Sequence, residues 1–320
     1  MTIERNIFIA GHNGMVGKAV SNYFINKCYG NIFMANRSEL DLMNLIAFEK
    51  FIIENSINEI IFCAAKVGGI NANRNKKFDF LYLNSVMQNN LFYIVEKHNI
   101  EKLTFLGSSC IYPRDCKQPI KEDYLLQGYL EDTNDAYALA KICGVKYCEI
   151  LNSNNIFDCR ALMPTNIYGY NDNFSLKDSH VVPALIRKFY EANESHNKVT
   201  LWGTGSPYRE IMFSEDLASA IFHIHTMQKK DFFKITGPSS LMNVGSGDEM
   251  RIKEIAHKVA EIINFRGEIS FDSNYPDGTP RKRLDLTRLE KTGWEKTYSV
   301  DDGLESTIKW FQNNIDNFRD

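Results

Sequence analysis

An α/β fold is predicted for this sequence: a doubly wound parallel sheet followed by a smaller α/β domain. Three observations carry the prediction. Short apolar runs alternate with stretches of helical periodicity through the first half of the chain, the pattern of strand–helix–strand units. A glycine-rich turn directly follows the first of those runs. Past about residue 170 the alternation loosens and Pro/Gly loops become frequent, which marks a second unit of different build. With 320 residues, the chain has room for one large or two modest domains.

Taken in order, the strands expected are Asn6–Ala10, Asn31–Ala35, Glu59–Ala65, Leu103–Gly107 and Asp158–Met163. Between them the spacing predicts helices over Val16–Lys27, Leu45–Asn55, Phe80–His98 and Ala136–Asn152. The second half reads as a helix over Val182–Asn193, a strand over Val199–Trp202, and helices over Glu215–Met227, Met250–Ile263 and Leu304–Asn314. Gly203–Pro207 and Asp277–Pro280 read as loops. The first domain is expected to cover residues 1–170, with a segment near 210–250 returning to it, and the second residues 171–320.

Composition narrows the function classes. Hydrophobic residues at 44% and charged ones at 24% are ordinary for a globular protein. A formal net charge of -3 creates no global field to recruit nucleic acid or an anionic membrane. No apolar run reaches the roughly 18 residues of a membrane span, and the N-terminus passes into a strand without a signal-peptide pattern. The seven cysteines form no CxxC pair, which points to free thiols in a reducing cytoplasm. His223 and His225 are close neighbours but point to different sides of a helix, so no metal site is expected.

Gly11, Gly14 and Gly17 give a GxxGxxG turn between the first strand and the first helix. Glycine there permits a tight turn, close approach of backbone to phosphate and close helix–strand packing, while the helix N-terminus offers free N–H groups to a pyrophosphate. This is the signature of a Rossmann-type dinucleotide fold. After the second strand stands Arg37, where an acid would hold the ribose hydroxyls of NAD. A guanidinium suits a 2′-phosphate, so NADP is expected. Glu39 and Asp41 come too late to replace the acid directly, but they keep the question open.

Tyr137 and Lys141 stand four residues apart, on one face of a predicted helix. A cation beside a phenol favours phenolate, and a tyrosine that exchanges its proton near neutrality is what carbonyl reduction at a sugar carbon requires. With Gly11–Gly17, further motifs appear in order. They are Ala64–Ile70, Leu106-Gly-Ser-Ser-Cys-Ile-Tyr-Pro113, Tyr137–Lys141, Met163–Asn166, Ser179-His-Val181, Trp202-Gly203 and Pro276-Asp-Gly-Thr-Pro-Arg-Lys282. On these motifs the chain resembles the extended short-chain dehydrogenase/reductase superfamily and, within it, the GDP-L-fucose synthase family.

The resemblance implies an NADPH-dependent reductase acting at C4 of a GDP-4-keto-deoxy sugar, with prior epimerisation at C3 and C5. Ser108, Tyr137 and Lys141 would form the reducing triad, and Cys110 and His180 the epimerisation acid and base. NADP would meet Gly11, Asn13, Gly14, Met15, Val16 and Gly17 at the turn, then Arg37, Leu42, Ala64 and Ala65. It would also meet Lys141, Pro164, Asn166, Ile167 and His180. Lys188, Trp202, Arg209 and Asp277 would contact the GDP-sugar. The bland alternatives are core packing for Trp202 and solvated surface charges for Lys188 and Arg209. A homodimer through the two long helices is the superfamily's default.

Removing a proton next to a C4 ketone and returning it on the other face needs two groups on opposite sides of the ring. A thiol (pKa about 8.5) and an imidazole (about 6.5) lie close enough to neutrality for that work. Three positions depart from the family pattern: Asn13 where arginine is usual, Phe213 where histidine is usual, and Tyr170 where proline is common. Changes near the sugar point to a different GDP-sugar, which keeps open a C4 reductase without epimerisation, for instance on a heptose. A nucleotide-sensing protein without catalysis is the reading from another class; retention of Ser108, Tyr137 and Lys141 speaks against it.

Overall fold

The computed structural model describes residues 5–154, 156–176, 178–195, 198–275, 277 and 279–318. Pro276 and Gly278 of the Pro-Asp-Gly-Thr-Pro motif lie outside the described residues. The strands are β1 Asn6–Ala10, β2 Asn31–Phe33, β3 Glu59–Phe62, β4 Lys102–Leu106, β5 Asp158–Pro164, β6 Asn166–Tyr168, β7 Val199–Trp202, β8 Tyr208–Phe213, β9 Leu241–Val244, β10 Glu249–Arg251, β11 Ile269–Asp272 and β12 Arg281–Lys282. The helices of the first half are α1 Met15–Asn26, α2 Leu45–Glu54, α3 Ile70–Asn75, α4 Lys77–Lys97 and α5 Asp135–Asn152. Those of the second half are α6 Val181–Ser195, α7 Ser214–Thr226, α8 Lys229–Thr236, α9 Ile252–Ile263, α10 Thr287–Glu290 and α11 Val300–Asn313.

Six parallel strands form the main sheet in the order β2-β1-β3-β4-β5-β9. From β1 the chain steps to one side for β2, then returns to the other side for β3. Their reversal point opens a crevice at the carboxyl ends of β1 and β3, where a doubly wound sheet places its ligand. The strands read as continuous apolar runs because helices cover both faces; Ile7, Ile9, Ile60, Ile61, Phe62 and Phe105 have no exposed surface. The helices α1 and α7 cover one face; α4 and α5 pack together on the other. The smaller second layer sets β8 between β10 and β12, with β6 also pairing β8, and α6, α9 and α11 around a separate core.

Two expected strands are shorter than the apolar runs that signalled them. β2 stops at Phe33 rather than Ala35, and β3 at Phe62 rather than Ala65. In each case the chain leaves the sheet to build the crevice. Past β3 the backbone of Lys66 is held by Asn84, whose amide accepts from Lys66 N (2.8 Å) and donates to Lys66 O (3.1 Å). The run expected as one helix from Met250 contains a strand first, β10, and then α9.

His223 and His225 diverge as the helix period requires. His223 meets Thr292 O at 2.9 Å, whereas His225 is buried between Thr104 and Glu59, both at 2.8 Å. Burial would raise Glu59, but the His225 hydrogen bond and the nearby Lys102 and Arg5 charges hold it below the ordinary value. Burial likewise keeps His225 below its own, so this is a neutral imidazole on a carboxylate. Beside it the fully buried Arg160 grips Asp158 with two bonds of 2.7 and 2.6 Å. It also donates to the carbonyls of Ile224, His225 and Met227, closing the C-terminus of α7. Arg160→Ala should destabilise the protein by about 3 kcal/mol or more, because it strands the Asp158 charge and those carbonyls. Urea unfolding at neutral pH measures it.

Candidate active site

The glycine turn has the geometry its spacing implies. Gly11 sits at φ +85, and a Cβ there would stand 2.7 Å from Ala64 N. Only glycine lets β1 pass this close to the end of β3. A Cβ on Gly17 would fall 2.1 Å from Gly11 O, so helix and strand touch there. At Gly14 a Cβ would meet only Gly11 O, at 3.5 Å, so the face above the turn is open. Gly14 is the N-cap of α1, and the first-turn amides of Met15, Val16 and Gly17 lack intrahelical acceptors. Among the described residues, the buried Nδ1 of His12 has no hydrogen-bond partner. An open glycine cradle, free helical amides and an orphaned ring nitrogen fit a dinucleotide pyrophosphate.

Arg37 is exposed just beyond β2. Glu39 does not compete with it, because its carboxylate folds back onto Asn36 N at 2.8 Å. Asp41 likewise accepts from Met43 N at 3.1 Å. Leu42 packs against the main core, and Ala64 and Ala65 line the end of β3. At the end of β5, Pro164 and Thr165 lead into β6, where Asn166 donates to Glu210 O at 2.8 Å and Ile167 pairs Met212. Asn13 is exposed on the turn.

Ser108, Cys110, Tyr137 and Lys141 come together at the carboxyl end of β4. Ser108 caps a short 3-10 turn, Ser109–Ile111, its hydroxyl accepting from Cys110 N at 3.2 Å. Tyr137 lies on the first turn of α5, its ring edge-on to Phe80 at 6.2 Å. The Lys141 ammonium is buried one turn later, 5.9 Å from the Tyr137 ring centroid, and donates to Leu106 O at 2.7 Å.

The expectation that Lys141 acidifies Tyr137 is not met in this structure. Burial pushes the phenol well above its ordinary value, and the Cys110 sulfur adds to the rise; only the Ser108 hydroxyl pulls it back. The reason lies in Lys141 itself. Buried with a carbonyl and, among the described residues, no carboxylate paired to it, its pKa falls to about 7, with the Cys63 thiol opposing. Cys63 in turn is pushed up to about 12 by burial. A half-neutral lysine exerts little pull on the phenol.

His180 stands at the start of α6, with Ala184 N bonded to its carbonyl at 3.1 Å. His180 keeps exposed surface, and desolvation by the surrounding protein holds it below the ordinary histidine value. Among the described residues it makes no hydrogen bond to the Ser108–Lys141 group. Its loop is tied to the segment after β3 through Gly69 N and Asp178 O at 2.9 Å.

A second set gathers in the smaller layer. Trp202, at the end of β7, is 63% exposed, so it is not core packing. Its ring stacks on Tyr275 at 4.5 Å and 8°, with Lys188 Nζ 5.5 Å above it. Lys188 is held below its ordinary value by burial. Arg209 is no solvated surface charge: it is half-buried and donates to the carbonyls of Tyr208 and Thr279, both at 2.7 Å. Burial lowers Arg209 while the Asp277 charge raises it. Asp277 accepts from Thr204 N (2.9 Å) and Thr204 Oγ1 (2.6 Å), bridging two loops.

Sequence reasoning missed Tyr275, Asn134 and Lys282. The Cys110 sulfur receives Asn134 Nδ2 at 3.2 Å and Lys282 Nζ at 3.5 Å. Lys282 ends a motif already singled out, but nothing in its spacing points to Cys110. Phe213 and Tyr170, read from the sequence as changes near the sugar, lie side by side in the second layer. Phe213 is 3% exposed and packs in the core of the second layer against Tyr168, Tyr298 and Tyr170, the last at 5.3 Å. The two departures touch each other.

Residues 7–236 match the model of the NAD dependent epimerase/dehydratase family. The chain is 42% identical over 318 residues to the GDP-L-fucose synthase of Escherichia coli (strain K12), covering 99% of each. A solved GDP-6-OMe-4-keto-L-xylo-heptose reductase from Campylobacter jejuni superposes with a TM-score of 0.90 at 32% identity, over 98% of this chain and 99% of that one. A GDP-mannoheptose C4 reductase from the same organism, with NADP bound, gives 0.87 at 32% identity and the same coverage. Matched along nearly its whole length, the chain belongs to the NAD dependent epimerase/dehydratase family and, within it, to the GDP-L-fucose synthase family.

Proposed function

We propose that the protein reduces C4 of a GDP-4-keto-deoxy sugar with NADPH, after epimerising C3 and C5. The observation that carries the reading is the meeting of Ser108, Cys110, Tyr137 and Lys141 at one strand end, beside the glycine crevice. Full-length likeness to a GDP-L-fucose synthase and to an NADP-bound C4 reductase supports it. NADPH, when bound, supplies the hydride to C4. The α1 amides and Gly14 hold its pyrophosphate, and Arg37 its 2′-phosphate. Ala64, Ala65 and the 164–167 stretch line its path.

In the epimerisation steps Cys110 and His180 exchange protons with the carbons flanking the ketone, while Tyr137 and Ser108 hydrogen-bond the C4 oxygen as it gains charge. In the reduction Tyr137 donates its proton to the forming alkoxide. Burial keeps the phenol protonated across neutral pH, which suits an acid that must arrive loaded. The stacked Trp202 and Tyr275 offer an aromatic platform for a base, with Lys188 and Arg209 on the phosphates.

The division at residue 170, with 210–250 returning, is part of the proposal; β9 as the sixth strand of the main sheet and α7 against α1 support the return. A homodimer through α4 and α5 is supported by the apolar side chains they expose, among them Phe78, Tyr82, Leu139 and Ile150. A cytoplasmic setting is supported by seven unpaired cysteines. Among the described residues no helix is long and apolar enough to cross a membrane. No nucleic-acid partner is proposed.

A reductase without epimerisation is the second reading, favoured by the likeness to the heptose reductase. Incubation with GDP-4-keto hexoses and heptoses in heavy water without cofactor separates the two. Deuterium entering C3 and C5 is expected, and its absence would leave the reductase alone. NADPH oxidation by any member of that panel tests the shared claim, with products identified by NMR.

A further inference from the structure

The Cys110 sulfur lies between two donors that come from distant parts of the chain. Asn134, the N-cap residue of α5, donates from Nδ2 at 3.2 Å, and its buried Oδ1 has no partner among the described residues. Lys282 of β12 reaches the sulfur at 3.5 Å and makes no ion pair among the described residues. Its placement is built rather than incidental. On one side Arg281 is clamped to Glu249 by bonds of 2.7 and 2.5 Å. On the other, Arg283 N donates to Gln118 Oε1 (2.8 Å) and Arg283 O accepts from Ile120 N (2.7 Å). The strap therefore crosses the loop that follows Cys110, and Lys282 turns in toward the sulfur. Other charges around the small cavity beside Cys110 are paired, Arg281 with Glu249 and Arg114 with Glu131. Tyr137 faces the sulfur from α5 as a neutral phenol.

We propose that Lys282 is a positioning residue for Cys110: with Asn134 it fixes the sulfur and neutralises the thiolate through which Cys110 passes as a proton carrier. The inference rests on the reading of Cys110 as an epimerisation group. Whichever way the proton travels, the sulfur is a thiolate once per step. As base, the thiolate takes the C–H proton and becomes a thiol, the bonding pair moves into the enolate at the C4 oxygen, and His180 returns a proton to the opposite face. As acid, the thiol gives its proton to the enolate carbon and is left as thiolate. In both directions the Lys282 ammonium keeps its protons and supplies a fixed opposite charge.

Iodoacetamide alkylation of Cys110, resolved by peptide mass spectrometry across pH 6–10 with the exposed Cys28 as internal control, tests the link in the full chain. In Lys282→Met the Cys110 profile should move to higher pH, slowing alkylation at neutral pH by about tenfold, while Lys282→Arg restores most of the rate. Deuterium exchange into C3 and C5 should fall by about tenfold in Lys282→Met, with KM for the GDP-sugar within about twofold. Thermal melting checks folding, and Lys282→Gln is the second variant should the methionine prove unstable. A Cys110 profile unchanged in the variants, or a rise in KM alone, would overturn the proposal. Absence of exchange in the unaltered enzyme would instead overturn the epimerisation reading, and the alkylation profile would still report whether Lys282 acts on the sulfur.

Discussion

Tyr137→Phe is expected to lower kcat for ketone reduction by about 10³-fold while NADPH binding stays unchanged. The substitution removes one oxygen and keeps the ring edge-on to Phe80, so the packing at the start of α5 survives. What is lost is the group that protonates the alkoxide and, with Ser108, stabilises charge on the C4 oxygen. Because burial holds the phenol well above its ordinary value, the unaltered enzyme should keep its proton donor loaded through pH 9. Single-turnover kinetics with NADPH fluorescence gives both the chemical step and the cofactor affinity. Reduction within about threefold of the unaltered rate would remove Tyr137 from the mechanism.

Lys141→Met should move activity and stability in opposite directions. Activity falls by about 10²-fold, since Lys141 is expected to meet NADP at the same strand end as Tyr137. Stability rises, because a buried amine whose hydrogen bond among the described residues goes to the Leu106 carbonyl is expensive to hold as a cation. The direction with pH follows from the lowered pKa, about 7 folded against 10.5 ordinarily. Below pH 7 both states carry the proton and the full burial cost is felt. Between 7 and 10.5 the unfolded chain holds a proton that the folded one has released, so rising pH stabilises the natural protein. The variant's advantage should be about 2 kcal/mol at pH 6, after allowing for the lost hydrogen bond, and should shrink by pH 9. Urea unfolding at the two pH values reads it; an advantage that grows with pH would show that Lys141 is a partnered cation.

The first-half strands, the glycine turn and the Tyr137–Lys141 helix were legible in the sequence because each is a local pattern. Continuous apolar runs between helical periods, and fixed spacings within a turn, need no distant partner to be recognised. The second half was less legible for the same reason. β8 and β9 each carry a buried run of four residues that periodicity alone cannot tell from helix segments, and β12 has only two residues. They exist as strands because partners far along the chain pair with them. Phe213 shows what its sequence neighbours could not tell: it is part of an aromatic core built from distant segments.

By itself the sequence determined the sheet type, the dinucleotide turn and the Tyr137–Lys141 pair, all set by local spacing and by side-chain chemistry, while Ser108 and Cys110 came from the family resemblance. Tertiary structure alone decided the electrostatics of that group. Whether Lys141 sits in water or under Leu106, and whether a lysine 172 residues away reaches the Cys110 sulfur, depends on which surfaces fold against one another. Burial, unlike spacing, is a property of the whole chain, and it turned a lysine expected to acidify its tyrosine into one that titrates near neutrality itself.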